Sequence, residues 1–318
     1  MTTKKSTKLK IVFFGTSDRS IPILRTLKRS FDLRLCITKT DRKLGRKQIL
    51  KETAVKTWAK KNNIAFLAIS SLKEEDLQKV LKKIEKAKPD YGIVADFSFI
   101  IPSDIIKLFV THLINIHFSL LPKYRGASPV QFAILDGDET TGITFHIVED
   151  KMDSGDIISQ IGYKMYGKET SGELYDTLFK IAAEKLPKIL KEYSLGRISP
   201  LPQDKESATF TFSKTHPQST FVYKEDALIN WTNKPQKTER LIRAFNPWPI
   251  AWSFLGELEK PKYLAEKIKL KKTVNKKLKI KIYSSSIIEN KLVIEEVQVE
   301  GKYKTKWEDF RNGYLIIN

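Results

Sequence analysis

The strongest constraint on the fold is a regular alternation of short apolar runs and amphipathic stretches over the first 195 residues. KIVFFGTSDRSIPILRTL opens with a β-type run, breaks at Gly15 and turns helical from about Ser20. DLRLCIT and IAFLAI read as strands on either side of the short helical stretch VKTWAKKNN. SLKEEDLQKVLKKIEKAK has the period of an amphipathic helix, with Ser71 expected to cap it ahead of Glu74 and Glu75. The strand DYGIVAD, the short helix PSDIIKLF and the strand THLINIHF follow. QFAILDGD then reads as helical, TGITFHIVE as a strand and ELYDTLFKIAAEKLPKILKEYS as a long closing helix. Strands alternating with helices imply an α/β fold with a parallel sheet covered on both faces. Ligands on such sheets bind at the carboxyl ends of the strands.

GRISPLPQDKESATFTFS, residues 196–213, is polar, proline-punctuated and aperiodic, and is expected to be a linker. Beyond it, ALINW, the helix TERLIRAF and alternating segments such as KIKIYSS and KLVIEEVQVEG predict a smaller β-barrel behind one helix. The expected organisation is a catalytic domain over 1–195, the linker, and a second domain over 214–318.

Charge narrows the partners. Fifty-seven Lys and Arg against 37 Asp and Glu leave a net charge of +20, which favours a polyanion. The excess is partly local, since residues 260–281 hold ten lysines and one acid, Glu266. A lysine-rich solvated surface gives the same composition, and charge sets affinity without naming a target. No apolar run is long enough for a membrane span, and MTTKKSTKLK lacks the apolar segment of a signal peptide, so the expected location is cytoplasmic. The single cysteine, Cys36, excludes an internal disulfide and reads as a small apolar strand residue.

The chemistry-bearing stretch is NIHFSLLPKYRG, residues 115–126. Asn115 and His117 are two apart on an extended segment, so their side chains leave the same face. A buried histidine is more often a satisfied core residue, and spacing alone does not exclude that. DKMDSGD, after the strand TGITFHIVE, supplies Asp153 at a neighbouring strand end, although Asp, Ser and Gly also make ordinary turns. It lacks the spacing of a calcium loop. The first loop, GTSDRS, has one glycine and no GxGxxG, so a dinucleotide site is excluded. Asn, His and Asp without a Ser or Cys nucleophile suit transfer of an acyl group to an external amine. Asn can donate to the forming oxyanion, neutral His can take the amine proton, and Asp can orient the imidazole and fix its tautomer. No metal is required.

NIHFSLLPKYRGASPVQ followed by GDETTGITFHIVEDKMDSGDII resembles the signature of folate-dependent formyltransferases. The likeness extends through KIVFFGT, TKTDRKLGRK, INWTNKP, LIRAFNPWP and KWEDFRNGY, and RAFNPWP is similar to the branch whose acceptor is methionyl initiator tRNA. The resemblance implies a Rossmann-like parallel-sheet formyltransferase domain followed by a smaller OB-like β-barrel. It implies 10-formyltetrahydrofolate as the donor co-substrate and initiator methionyl-tRNA as the partner, with no membrane and no protein partner inferred. By position, Asn115, His117 and Asp153 would be catalytic, and Ser119, Leu120, Leu121 and Pro122 would wall the folate. The segment Val94 to Ile101, with Ala95, Asp96 and Phe97, would cradle the pterin. Arg42, Lys43, Arg46 and Lys47 would enter the acceptor stem, and Lys269, Lys271 and Lys272 would lie on the basic face toward tRNA.

Three departures from the family pattern are each expected to line a substrate pocket. GTSDRS replaces GTPxF and puts Arg19 in place of an aromatic. Ala95-Asp96-Phe97-Ser98 replaces the usual AYG loop, and Phe118 replaces a small residue or proline. An amino-sugar nucleotide or other small amine as acceptor, and a catalytically weakened RNA-binding homologue, remain alternatives at this point.

Overall fold

The computed structural model describes residues 8–44, 48–109 and 112–316. The chain opens with β1 (Lys10–Phe14), α1 (Ile21–Ser30) and β2 (Asp32–Lys39), then a hairpin of β3 (Arg42–Leu44) and β4 (Ile49–Lys51). α2 (Ala54–Lys61), β5 (Phe66–Ile69), α3 (Glu74–Ala87), β6 (Tyr91–Val94), α4 (Ser103–Phe109) and β7 (Leu113–His117) follow. Next come α5 (Pro129–Asp136), β8 (Thr140–Ile147), β9 (Ile157–Lys164) and α6 (Ser171–Ser194). Seven strands form one sheet in the order β5-β2-β1-β6-β7-β8-β9.

β1, β2, β5, β6 and β7 pair in parallel, as the alternation predicts. β8 departs from it and runs antiparallel to β7, placing Asn115 opposite His146 and His117 opposite Thr144. An apolar run carries no direction; the connection between strands sets it. The sequence reading did not include the edge strand β9, whose alternate residues are exposed.

Strand order reverses between β1 and β6, the kind of crevice in which open α/β sheets bind ligands. The loops leaving these strands are tied together there: Ala95 N donates to Phe14 O at 3.0 Å and Thr16 N to Asp96 O at 3.0 Å. Gly15 permits this approach, since a Cβ would stand 2.5 Å from the Phe13 ring and 2.9 Å from Ala95 O.

The expected Ser71 cap is not made. α3 begins at Glu74 after Lys73, and Ser71 Oγ instead accepts from Lys73 N at 3.3 Å. Asp76 in the first turn takes the backbone N–H of Ser70 at 2.9 Å and of Ser71 at 3.3 Å, a charge-assisted tie that fixes how the chain enters the helix. With Glu74 and Glu75 it also places negative charge at the positive end of the helix dipole.

The described residues fall into two compact units. The first holds those up to Arg125, with Gly142–Tyr163 and Tyr175–Thr209; the second holds Gly126–Thr141, Lys164–Leu174 and those from Phe210 onward. In the first unit Val12, Phe14, Leu35, Ile37, Val80 and Ile84 share one core on the sheet. Cys36 is fully buried, and burial pushes its thiol up to about 12, which makes it inert.

In the second unit α7 (Pro235–Ala244) is followed by β10 (Ala251–Phe254), β11 (Lys279–Ile288), β12 (Lys291–Val299), β13 (Thr305–Lys306) and α8 (Trp307–Tyr314). The four strands pair antiparallel in that order, and bridges at Leu228–Trp252, Leu264–Leu292 and Leu270–Leu315 extend the framework. Trp231, Leu241, Phe245, Ile280 and Phe310 fill its core. The buried Trp231 indole donates to Ser253 Oγ at 2.8 Å, so its polar atom is satisfied. Among the described residues no helix is long and apolar enough to cross a membrane.

Candidate active site

β7 divides its residues between two faces, as an extended segment must. Ile116 leaves one face; Phe118, just past the end of β7, is 5% exposed, with its ring centre 4.0 Å from that of Phe179 and 5.8 Å from that of Tyr175, both on α6. Phe118 therefore packs in the core against α6, where its place in the motif led to the expectation of a pocket-lining residue. Asn115 and His117 leave the other face.

His117 is 5% exposed, with a partner on each ring nitrogen. Nε2 lies 3.0 Å from Tyr124 O, a carbonyl that can only accept, so Nε2 carries the proton of the neutral ring. Nδ1, 3.5 Å from Asp153 Oδ2, is then the atom left to accept one. The Tyr124 carbonyl, not Asp153, thus sets the tautomer, and Asp153 stands where the protonated ring needs its counter-ion. Burial holds the His117 pKa below its ordinary value and His146 adds to this, against the opposing effects of Asp153 and the Tyr124 carbonyl. Burial thus favours the neutral ring.

Asp153 reaches His117 from the loop after β8. Gly155 lets the loop pass close to the strand end, because a Cβ there would fall 2.0 Å from Ile147 O. Asp153 itself has φ +51°, a left-handed conformation uncommon outside glycine, which costs about 1–3 kcal/mol unless the surroundings impose it. One group braces this backbone with two hydrogen bonds: the Gln203 amide nitrogen donates to Asp153 O at 2.9 Å and to Gly155 O at 2.7 Å.

Asn115 Nδ2 donates to Asp153 Oδ1 at 3.2 Å and lies 3.1 Å from His146 Nε2. His146 Nδ1 donates to Ile147 O at 2.8 Å, leaving Nε2 as the acceptor for Asn115. Both N–H groups of Asn115 are therefore directed at protein acceptors, and an oxyanion must displace one to be bound. His146, 2% exposed, is part of this cluster and was not singled out in the sequence; its signal is its register opposite Asn115. The cluster can hold an amide donor, a neutral base and a carboxylate over one point at the sheet end, which is the equipment for acyl transfer to an amine.

The expected folate wall is divided. Ser119 and Leu121 are buried, and Ser119 Oγ donates to Lys123 O at 2.5 Å; Leu120 and Pro122 are partly exposed. Thr144 braces the segment by donating to Ser119 O at 2.7 Å and accepting from Leu121 N at 3.1 Å. Val94, Ala95 and Ile101 are buried, Phe97 is half-buried, and Asp96 is exposed at φ +50°, accepting from the Ser17 hydroxyl. Arg19 lays its guanidinium 4.5 Å from the centre of the Tyr175 ring.

The basic residues are placed in part. Arg42 is exposed on β3, in a stretch that pairs with β4 as a hairpin. Arg46 and Lys47 lie outside the described residues, as does the Lys43 side chain. Lys269 and Lys272 are exposed, whereas Lys271 Nζ donates to Asn312 O at 2.9 Å. In the same unit a cavity of about 460 Å³ is lined by Leu135, Asp136, Lys234, Gln236, Lys237 and Arg240, a mainly cationic surface.

Comparison with known proteins is consistent along the whole chain. Residues 9–190 match the Formyl transferase family, and residues 222–315 match its C-terminal domain. A methionyl-tRNA formyltransferase from Bacillus thuringiensis subsp. konkukian is 32% identical over 311 residues, covering 96% of each chain. Among solved structures, the methionyl-tRNA formyltransferase from Clostridium thermocellum superimposes with a TM-score of 0.57 at 19% identity, over 92% of this chain and 98% of that one. The N-formyltransferase from Helicobacter canadensis, solved with folinic acid and dTDP-3-aminofucose, gives 0.58 at 18% identity over 93% and 100%. The last two show a common fold, while the family match and the full-length relative establish descent: the chain belongs to the formyl transferase family.

Proposed function

We propose that the chain transfers the formyl group of 10-formyltetrahydrofolate to the α-amino group of methionyl initiator tRNA, in the cytosol. The observation that carries this reading is the buried cluster of Asn115, His117 and Asp153 at the carboxyl end of β7, in a chain similar over its full length to methionyl-tRNA formyltransferases. The free amine attacks the formyl carbon, forming the new C–N bond. Negative charge develops on the formyl oxygen, and Asn115 releases Asp153 to donate to it. His117 Nδ1 takes the proton lost by the amine, and Asp153 pairs with the resulting imidazolium. The bond from the formyl carbon to N10 then breaks, and the proton held by His117 passes to N10 as tetrahydrofolate leaves, which restores the neutral ring.

The donor sits against the strand-end segment Val94 to Ile101, with Leu120 and Pro122 as the exposed part of the opposite wall. The region 1–195 carries the chemistry, and 214–318 binds tRNA through Lys269, Lys272 and their neighbours, with Arg42 and the hairpin at the acceptor stem. The test is a formylation assay of the pure protein with methionyl initiator tRNA, methionyl elongator tRNA and amino-sugar nucleotides, each beside 10-formyltetrahydrofolate. Initiator tRNA is expected to be formylated at least tenfold faster than the other acceptors, by roughly the margin one or two discriminating contacts provide. Preferential formylation of an amino-sugar nucleotide overturns the reading.

A further inference from the structure

We infer that Gln203, in the aperiodic stretch 196–213, is a positioning residue whose single side-chain amide ties together the two loops that hold His117. Gln203 and Arg125 are each 7% exposed. The Gln203 oxygen accepts from Arg125 Nε at 3.1 Å and Nη2 at 2.7 Å, and its nitrogen donates to Asp153 O at 2.9 Å and Gly155 O at 2.7 Å. All four hydrogen-bonding positions of the amide are used, and reversing the amide would set like against like on both sides. A buried amide is costly to leave unsatisfied, so this one fixes its neighbours firmly.

The neighbours are the two supports of the imidazole. Arg125 follows Tyr124, whose carbonyl holds His117 Nε2 at 3.0 Å, and Asp153 places its carboxylate 3.5 Å from Nδ1. Gln203 bridges the loop on one ring nitrogen to the loop on the other. Its own segment is docked alongside the first loop: Arg125 N donates to Thr209 O at 2.8 Å, Thr209 N to Pro122 O at 3.1 Å, and Tyr124 N to Thr209 Oγ1 at 2.9 Å. The left-handed backbone at Asp153 needs such an external brace. Without it the Asp153 loop relaxes away and water reaches the ring. The groups facing His117 are Asp153, His146 and the Tyr124 carbonyl, and burial is the largest influence on the ring, so hydration moves its titration upward toward the ordinary value.

The rate readout rests on the proposed function; the titration readout does not. Gln203→Met keeps the length and removes every hydrogen bond, whereas Gln203→Glu keeps an acceptor for Arg125 but cannot donate to the two carbonyls. Both variants are expected to lose about tenfold to 100-fold in kcat, with KM for folate and tRNA within about twofold, as misplaced catalytic groups require. The His117 ring, followed by NMR among the four histidines of the chain and assigned with His117→Gln, is expected to titrate higher in Gln203→Met than in the parent. If Gln203→Met does not fold, Gln203→Glu carries the kcat and KM test. A fall in kcat that matches the loss of folded protein, with His117 titrating as in the parent, overturns the inference. Failure of the parent protein to formylate methionyl-tRNA overturns the proposed function alone, because the titration needs no substrate.

Discussion

His117 is almost wholly enclosed and has a partner at each ring nitrogen, whereas Lys269 and Lys272 stand in solvent within a stretch of ten lysines and one acid. In the first region a shift of one ångström changes which atom can take a proton. In the second, charge acts at the range of a Debye length, about 10 Å at 0.1 M salt, and no single lysine has to be placed accurately. The contrast teaches that chemistry here depends on geometry and affinity on summed charge, so the two should fail separately.

The largest expected effect breaks the first region alone. Asp153→Ala should lower kcat by roughly 100-fold or more, with the Kd for tRNA unchanged in a filter-binding titration. Loss of tRNA affinity of similar size would mean that the two regions are one functional surface. Next is the reverse case. The double substitution Lys269→Glu and Lys272→Glu should weaken tRNA binding about tenfold at low salt, with the difference shrinking as salt rises, and leave kcat at saturating tRNA unaltered.

A smaller effect sharpens the geometric side. Phe118→Leu should cost about 1 kcal/mol of stability by denaturant titration and leave kcat within twofold, because the ring packs on α6. A specific loss of kcat would return Phe118 to the substrate pocket. The smallest is a displacement along the pH axis. Burial lowers the His117 pKa, so kcat/KM should fall on the acid side with a midpoint below pH ~6.5, the ordinary histidine value. A midpoint above that value would mean that the Asp153 carboxylate outweighs burial.

What could be read from the sequence follows the same division. Most of the order of strands and helices in the first unit was legible because each element carries its own period, apart from the β3–β4 hairpin and β9, and the Asn115–His117 pair was legible because the strand repeat puts both on one face. The burial of Phe118 was not legible, because position in a motif does not show that the ring packs on α6. Ser71 was misread because a capping pattern cannot show that Asp76 takes the neighbouring backbone N–H groups. The antiparallel course of β8, and with it the pairing of His146 to Asn115, depends on a long-range register that no local pattern contains. Gln203 is the extreme case, since it acts on a loop 50 residues away in sequence from within a stretch lacking any period. The lysines were legible only as composition, and their role rests on charge.

The single-turnover rate of formyl transfer by His117→Ala, with methionyl initiator tRNA and 10-formyltetrahydrofolate both saturating, addresses the geometric side directly. It should fall at least about 100-fold below the parent while tRNA affinity stays unchanged, the consequence of removing the ring nitrogen that takes the amine proton beside Asp153. A rate within a few-fold of the parent would contradict it and leave the buried cluster as structure alone.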